Sequence, residues 1–310
     1  MNLSIIIPNY NGKDLLKRNL PKVLEELKKY DLGDTETIFV DDASGDDSLG
    51  IVDNIKKEYK NLKVFKNEKN LGFSSTVNKG VKNANGDIVI LLNTDVYPET
   101  GFLKPLLRHF EDEKVFAVGC LDKSIEGEKI VERGRGLGIW ERGFLVHRRG
   151  EVNKTNTLWV SGGSSAFRKS IWEKLGGLNE LYNPFYWEDI DLSYRALKSG
   201  YKILFESKSV VYHEHEKGAI KSKYTSFQIK TIAYRNQFIF VWENATDILL
   251  QFSHFLWLPY YFVKALIAKD KAFYVGFFKA FILLPKIIKS SLRYQKQFVL
   301  KDKDVIKNFQ

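Results

Sequence analysis

The first 95 residues alternate short apolar runs with longer amphipathic segments, and this alternation constrains the fold more than any other feature of the chain. The apolar runs have strand length, and the segments between them repeat apolar side chains at helical spacing. This order predicts a parallel sheet with helices on both faces, in which ligands bind at the carboxyl ends of the strands. The predicted strands are residues 3–7, 37–40, 62–65 and 88–92, and the predicted helices are residues 15–30, 48–59 and 74–84.

The regular alternation ends near Asp95, and the following segments predict a mixture of helices, strands and hairpins. We therefore predict an α/β, Rossmann-like domain over residues 1–216, with a mixed but mainly parallel sheet. Its donor half is residues 1–98 and its acceptor half is residues 99–216. The composition shifts near residues 216–223, and residues 217–310 form a basic, amphipathic helical C-terminal region.

The net charge of +10 is concentrated in this C-terminal region, which has 16 Lys and Arg against 5 Asp and Glu. The same region is rich in Phe, Trp, Leu and Ile, so we expect it to contact an anionic membrane surface and no nucleic acid. Residues 248–263 carry no formal charge but are shorter than the roughly 20 apolar residues of a spanning helix. We expect a peripheral or monotopic protein. Membrane entry, or packing on the main body or on a second subunit, stays open as an alternative.

Polar and aromatic residues follow the first two predicted strands. Pro8 and Tyr10 follow the first strand, and Asp41 and Asp42 follow the second. An aromatic ring and a carboxylate at adjacent strand ends can stack on a nucleobase and accept its imide N–H. The alternative is a pair of Asx turns that cap the following helices. No phosphate-binding glycine loop follows the first strand, which argues against a kinase, an ATPase or a dinucleotide dehydrogenase.

Asn93 and Asp95 end the fourth strand, and two residues apart they face the same side if extended. Their oxygen atoms suit a divalent cation, Mn²⁺ or Mg²⁺, that would bridge them to a diphosphate. His213, at a later strand end, is a further candidate ligand and would favour Mn²⁺. The alternatives are a turn aspartate and a structural histidine.

Glu188, Asp189 and Asp191 begin a predicted helix after the aromatic residues 185–187. Acidic residues in a first helical turn complement the helix dipole, but three of them exceed that need. A carboxylate beside aromatic side chains makes a plausible general base with a sugar-binding platform.

Taken together, residues 3–215 resemble the inverting family-two glycosyltransferases of the GT-A fold, in particular the rhamnosyltransferase-like branch of bacterial surface-polysaccharide enzymes. The similar segments occur in the family's order. They are residues 5–11, 40–44, 70–73 with Asn78 and Gly80, 93–95, 159–168, 176–180 and 188–192.

The resemblance implies a metal-assisted single displacement from a nucleotide-diphosphate sugar to a hydroxyl of a saccharide or lipid-linked saccharide. It implies that Asp189 is the base, with Glu188 as the alternative. From the C-terminal region, which the resemblance does not cover, we expect a location on the cytoplasmic side of the membrane. A homo-oligomer is possible. The implied donor-binding residues are Pro8, Tyr10, Asp41, Asp42, Asn70, Gly72, Asn78, Asn93 and Asp95; the acceptor-binding residues are Trp187, Gly162 and Gly163; and the metal ligands are Asp95, Asn93 and His213.

Three positions depart from the family pattern. Asn93 stands where many members have aspartate, which gives a metal one fewer negative ligand, and Asn179 replaces a frequent aspartate. His213 is followed by Glu214 and His215 where glycines are common, so either histidine is a candidate ligand. Two other functions compete with the transferase: a sugar nucleotidyltransferase, and a non-catalytic membrane-associated scaffold of the same fold.

Overall fold

A computed structural model of the chain describes residues 1–214 and 223–310. A mixed sheet with flanking helices is followed by C-terminal helices. The strands are β1 (Leu3–Asn9), β2 (Thr35–Asp41), β3 (Leu62–Lys66), β4 (Ile88–Leu92), β5 (Val96–Pro98), β6 (Val115–Glu126), β7 (Lys129–Arg133), β8 (Gly136–Glu141), β9 (Phe144–Arg149), β10 (Ser164–Arg168) and β11 (Lys202–His213). The α-helices are α1 (Lys13–Lys28), α2 (Ser48–Lys56), α3 (Phe73–Lys82), α4 (Leu103–Leu107), α5 (Lys169–Leu175), α6 (Glu188–Lys198), α7 (Ser226–Asn244), α8 (Ile248–Ile267), α9 (Lys271–Ile282), α10 (Leu284–Gln295) and α11 (Asp302–Ile306).

The main sheet has the order β3-β2-β1-β4-β10-β6-β11-β5, and β7 pairs with β6 beside this path. β1 is parallel to β2 and β4, and β2 is parallel to β3. The predicted alternation of four strands and three helices is therefore confirmed, with boundaries that differ by a few residues. β1 and β4 are buried along their whole length, because helices cover both faces of the sheet.

Two antiparallel pairings, β10 with β4 and β11 with β5, join the second half to the first. β10 pairs antiparallel with β4 on one side and with β6 on the other, and β11 continues the sheet parallel to β6. The far end of β11 pairs antiparallel with β5, where His213 is the partner of Val96. This pairing returns the end of β11 to the segment that follows β4, so two predicted metal ligands meet although they are more than 100 positions apart in sequence.

The C-terminal helices pack on α6 through buried polar contacts. The Asp302 carboxylate is fully buried and accepts hydrogen bonds from Lys198 Nζ at 2.7 Å and Tyr194 Oη at 2.8 Å. It also accepts hydrogen bonds from the backbone N–H groups of Thr246 and Asp247. A buried ammonium without its carboxylate partner is strongly destabilising, so the end of the chain is part of the fold of the main body. Of the arrangements that the sequence left open, packing on the main body is present.

α8 is apolar on both of its sides. One side packs against the hydrophobic core, with Ala265 buried and Leu258 and Phe262 half-buried, while the other side faces solvent. Among the described helices, none combines the length and the apolar content needed to cross a membrane. The exposed apolar side chains of α8, α9 and α10 are Ile248, Leu249, Phe252, Phe255, Leu256, Tyr260, Val263, Leu266, Ile267, Phe278, Phe281, Ile282, Ile288 and Leu292.

Candidate functional site

A cavity of about 510 Å³ lies at the carboxyl ends of β1, β2 and β4, where a doubly wound sheet binds its ligands. The loop before β10 and the start of α6 close its other side. The fold therefore brings together predicted residues from both halves of the chain. Those that line the cavity are Pro8, Tyr10, Asp42, Asn70, Gly72, Asn93, Asp95, Gly162, Gly163, Glu188, Asp189 and His213.

Asp42 holds the loop that carries Asn70 and Gly72. Its carboxylate accepts hydrogen bonds from the N–H groups of Leu71 at 2.8 Å and Gly72 at 2.9 Å, and from Asn67 Nδ2 at 2.8 Å. Gly72 has φ of 89°, and a Cβ there would lie 2.8 Å from Asn183 Oδ1. Only glycine fits this position, because the backbone is left-handed and the acceptor-side loop is close.

Asp41, Asn78 and Trp187 lie outside the cavity lining. Asp41 is fully buried and accepts a hydrogen bond from Asn9 Nδ2 at 2.9 Å, while Asn78 exchanges hydrogen bonds with the backbone of Leu178. Trp187 packs against the rings of His147 and Phe240. The side chains of Asp41 and Asn78 make structural contacts, so the structure offers no support for their direct contact with a donor, nor for contact of Trp187 with an acceptor.

Asp95 and His213 are neighbours in the cavity lining, with 3.4 Å between Asp95 Oδ2 and His213 Nε2. The other ring nitrogen, Nδ1, lies 2.7 Å from Asp122 Oδ2. Burial alone would lower the pKa of His213, but the hydrogen bonds to Asp122 and Asp95 outweigh burial and raise it to about 9. His215, the other candidate ligand, lies outside the described residues.

The donor atoms at this place fit a divalent cation. Asn93 Oδ1 is buried and has no hydrogen-bond partner among the residues that the structure describes, and the Asp95 carboxylate and the His213 imidazole lie at the same edge of the cavity. An orphaned buried oxygen beside a carboxylate and an imidazole is a suitable donor set for Mn²⁺. In residues 1–214 and 223–310, however, no group of three or more His, Cys, Asp or Glu side chains could hold a metal, so the amide of Asn93 would have to contribute.

Glu188 and Asp189 differ in their surroundings although they are adjacent. Burial and then the Asp189 charge raise the pKa of Glu188 well above its usual range, and within residues 1–214 and 223–310 Glu188 Oε2 has no hydrogen-bond partner. Burial also raises the pKa of Asp189, but backbone N–H groups of Ile190 and Gly162 donate to its carboxylate at 2.8 Å and 3.3 Å. The two N–H donors favour the ionised form at Asp189, so Glu188 is the residue that retains a proton more readily.

Sequence reasoning missed two basic side chains of the cavity. Lys223 lies beside Tyr10, with its Nζ 4.1 Å from the centre of the ring, and Arg133 lines the cavity while paired with Glu126. Arg133 is the last residue of β7, in the β6–β7 hairpin. No local signal identifies these cations, because only the fold brings them to the cavity.

Comparison with known proteins gives a consistent result. The family model described as "Glycosyl transferase family 2" matches residues 4–176. O-antigen chain rhamnosyltransferase RfbN of Salmonella typhimurium is 26% identical over 227 residues, which are 69% of this chain and 67% of the relative. GalNAc(5)-diNAcBac-PP-undecaprenol beta-1,3-glucosyltransferase of Campylobacter jejuni is 28% identical over 185 residues. That alignment spans 58% of this chain but only 56% of the relative.

Solved structures share the fold. S. aureus TarS 1–349 in complex with UDP-GlcNAc has a TM-score of 0.62 at 16% identity and covers 100% of this chain and 90% of that chain. GalNAc-T7 with UDP, GalNAc and Mn²⁺ has a TM-score of 0.64 at 20% identity and covers 80% of this chain and 48% of that chain. The described architecture therefore has the GT-A fold.

The environment of Glu188 predicts a pH-dependent stability. A carboxyl whose pKa is higher in the folded protein destabilises the fold as pH rises above the ordinary value of 4.5. Glu188→Gln removes this penalty, so its free energy of unfolding, relative to wild type, should increase between pH 4.5 and pH 8. Urea unfolding at several pH values measures the difference. Glu128→Gln, in the exposed β6–β7 turn, is the control and should follow the wild-type profile. If the free energy of unfolding of Glu188→Gln differs from that of the wild type by the same amount at every pH, the raised pKa of Glu188 is contradicted.

Proposed function

The chain belongs to glycosyl transferase family 2, and on that basis we propose that it moves a sugar from a nucleoside-diphosphate sugar to a hydroxyl group by single displacement, with inversion at the anomeric carbon. The observation that carries the proposal is one cavity that contains both an aromatic and carboxylate pair, Tyr10 and Asp42, and a partly exposed carboxylate, Asp189. The rhamnosyl and glucosyl activities named for the two curated relatives suggest a hexose donor.

In the proposed reaction Asp189 is the general base. Its carboxylate accepts the proton of the acceptor hydroxyl while the oxygen forms a bond to the anomeric carbon. The bond from that carbon to the diphosphate oxygen breaks, and the electron pair leaves with the nucleoside diphosphate. Proton transfer of this kind contributes about 10²–10⁴-fold to a rate. Glu188 is the alternative base, but its raised pKa supports a protonated role beside Asp189.

We assign the donor to the sheet side of the cavity. Tyr10 would stack on the nucleobase, and the segment around Asn70 and Gly72, fixed by Asp42, would line the sugar nucleotide. Asp95, Asn93 and His213 would hold a divalent cation there, which when bound supplies charge stabilisation to a diphosphate leaving group. Lys223 adds a further positive charge to the same space.

Asp189→Asn tests the base. The variant keeps the shape of the side chain but cannot accept a proton, so transfer should fall by about 10²–10⁴-fold while donor binding persists. A panel of nucleotide sugars with Mn²⁺ identifies the donor. The rate of transfer and the donor affinity are then measured for the wild type and for Asp189→Asn. If Glu188→Gln is the more damaging change, the two roles are reversed.

The same assays separate the competing functions. A wild type that joins a sugar phosphate to a nucleoside triphosphate would instead be a nucleotidyltransferase, and one that turns over no donor would be a scaffold.

The proposed cation site has its own test. Asp95→Ala should abolish Mn²⁺-dependent binding of a nucleoside diphosphate, measured by calorimetry with and without excess chelator. Asp122→Asn leaves Asp95 and Asn93 in place but weakens the contact that orients the His213 ring, so it should lower Mn²⁺ affinity by about 10–100-fold. Equal affinity for Mn²⁺ in the wild type and both variants would contradict the assignment of a cation to this site.

We further propose that the exposed apolar faces of α8, α9 and α10 form a membrane-docking surface. A helix that is apolar all round is normally buried, yet Phe252 and Phe255 are each 65% exposed. The same helices and the turns beside them carry exposed Lys and Arg side chains, which are complementary in charge to anionic lipid. The attraction of such a residue to an anionic membrane surface is about 1 kcal/mol. These basic residues are Lys264, Lys269, Lys271, Lys279, Lys286, Lys289, Arg293 and Lys296.

This surface suits an enzyme with a lipid-linked saccharide acceptor, since the name of the Campylobacter relative includes an undecaprenol-linked saccharide. Our proposal is a peripheral or monotopic protein on the cytoplasmic side of the membrane, with a catalytic domain over residues 1–216 and its donor and acceptor halves at 1–98 and 99–216. The docking region, residues 217–310, begins within a segment outside the described residues.

Substitution of exposed side chains tests the docking surface without disturbing the core. The triple variant Phe252→Gln, Phe255→Gln and Leu256→Gln should lose flotation with anionic liposomes while keeping its melting temperature. Leu32→Gln, equally exposed but in the donor half, should float like wild type. Flotation should weaken in high salt and with neutral lipid. A wild type that floats with neither lipid contradicts the proposal, and a stable dimer that the triple variant disrupts would assign the surface to a homo-oligomer.

A further inference from the structure

α7 belongs to the C-terminal region, but two of its side chains bind a loop of the acceptor half that forms part of the cavity wall. Asn236, on α7, is fully buried, and its Nδ2 lies 2.9 Å from the carbonyl oxygen of Tyr182, 2.9 Å from that of Phe185 and 2.8 Å from that of Tyr186. An amide has two N–H groups, so at least one is shared between carbonyls. Arg235 Nε donates to Asn236 Oδ1 at 2.8 Å, which fixes the amide orientation.

Arg235 holds the same loop through a separate contact. Its Nη2 donates to the carbonyl oxygens of Tyr182 and Asn183. Two consecutive side chains of one helix therefore bind four carbonyl groups within residues 182–186. These contacts fix the backbone of the loop to α7.

The loop needs to be held because its backbone is strained. Tyr186 and Trp187 have φ of 73° and 75°, a left-handed conformation that is unfavourable for residues with a bulky side chain. Conformations of this kind persist only where the surrounding structure fixes them. Trp187 immediately precedes α6, and its carbonyl accepts the N–H of Asp191 in the first helical turn.

The loop is also a wall of the candidate site. Pro184, Phe185 and Tyr186 line the cavity, and Tyr186 is 41% exposed. Glu188 and Asp189 follow directly, so a shift of the loop moves both the aromatic wall and the carboxylate that we assign as base. A misplacement of about 1 Å can reduce a rate by about 100-fold.

We propose that Asn236 and Arg235 are positioning residues that set the acceptor side of the cavity from within the C-terminal region. They act on the loop at residues 182–187 and, through it, on the beginning of α6. This inference rests on the proposed transfer reaction and deepens it, because it assigns to α7 a function in catalysis in addition to its packing on the main body.

Asn236→Asp is the decisive variant, because it keeps the size of the side chain but turns an oxygen towards three carbonyl oxygens. Transfer should fall by about 100-fold. This loss should exceed any loss of affinity for whichever of UDP, dTDP and GDP binds the wild type with Mn²⁺, because among the described residues the loop contacts the donor side only at the start of α3. Thr231→Val is the matched control. Thr231 is buried on the same helix, and its hydroxyl has no hydrogen-bond partner in the part of the chain that the structure describes, so this variant should transfer like wild type.

Hydrogen exchange supplies a readout that requires no substrate. The backbone amides of residues 182–187 other than Pro184 should exchange faster in Asn236→Asp, whereas those of β1 and β4 should not change. If Asn236→Asp fails to fold, Arg235→Met, at a less buried position, provides the same comparison. Unchanged exchange in the loop, or faster exchange with wild-type transfer, overturns the proposal. Absence of transfer in the wild type itself would contradict the proposed function. The exchange comparison would then decide alone whether Asn236 and Arg235 hold the loop at residues 182–187.

Discussion

The antiparallel pairing of β10 with both β4 and β6 is the interaction on which the site depends. It places the loop before β10 beside the end of β4, where the N–H of Asn93 donates to the Gly163 carbonyl at 3.0 Å. A Cβ on Gly163 would lie 2.4 Å from Asn93 Nδ2, so the two segments are in direct contact. The first half of the chain supplies one side of the cavity, and β10 joins that side to the half that carries Asp189.

The main strands and helices of the donor half could be predicted from the sequence, because each of them has a regular local pattern of apolar residues. Each buried strand is apolar along its length, each helix has an apolar face, and the strand ends follow from these patterns. The roles of Asp41 and Asp42 could not be separated in this way. Both are buried acids at one strand end, and only their partners, Asn9 for one and a glycine loop for the other, distinguish them.

The acceptor half and the C-terminal helices were less predictable for a physical reason. Their contacts join positions far apart in sequence, and a polar residue in a helix has no local feature that identifies its partner. Asn236 reads as an ordinary helical residue, and Asp302 as a charged residue near the end of the chain. The basic and aromatic composition predicted a membrane-contacting region, but it gave no sign of the buried polar contacts that attach this region to α6 and to the loop before it.

The close contact between Gly72 and Asn183 has a consequence for the engineering of specificity. The N–H groups at the start of α3 are bound by the opposite half of the site: Phe73 N donates to the Pro184 carbonyl and Ser74 N to Asn183 Oδ1. A redesign of the loop at residues 70–73 therefore alters the loop at residues 182–187, and the reverse is also true. On the function proposed here, donor and acceptor preferences are coupled in this chain, so exchange of one of these loops between homologues requires exchange of the other.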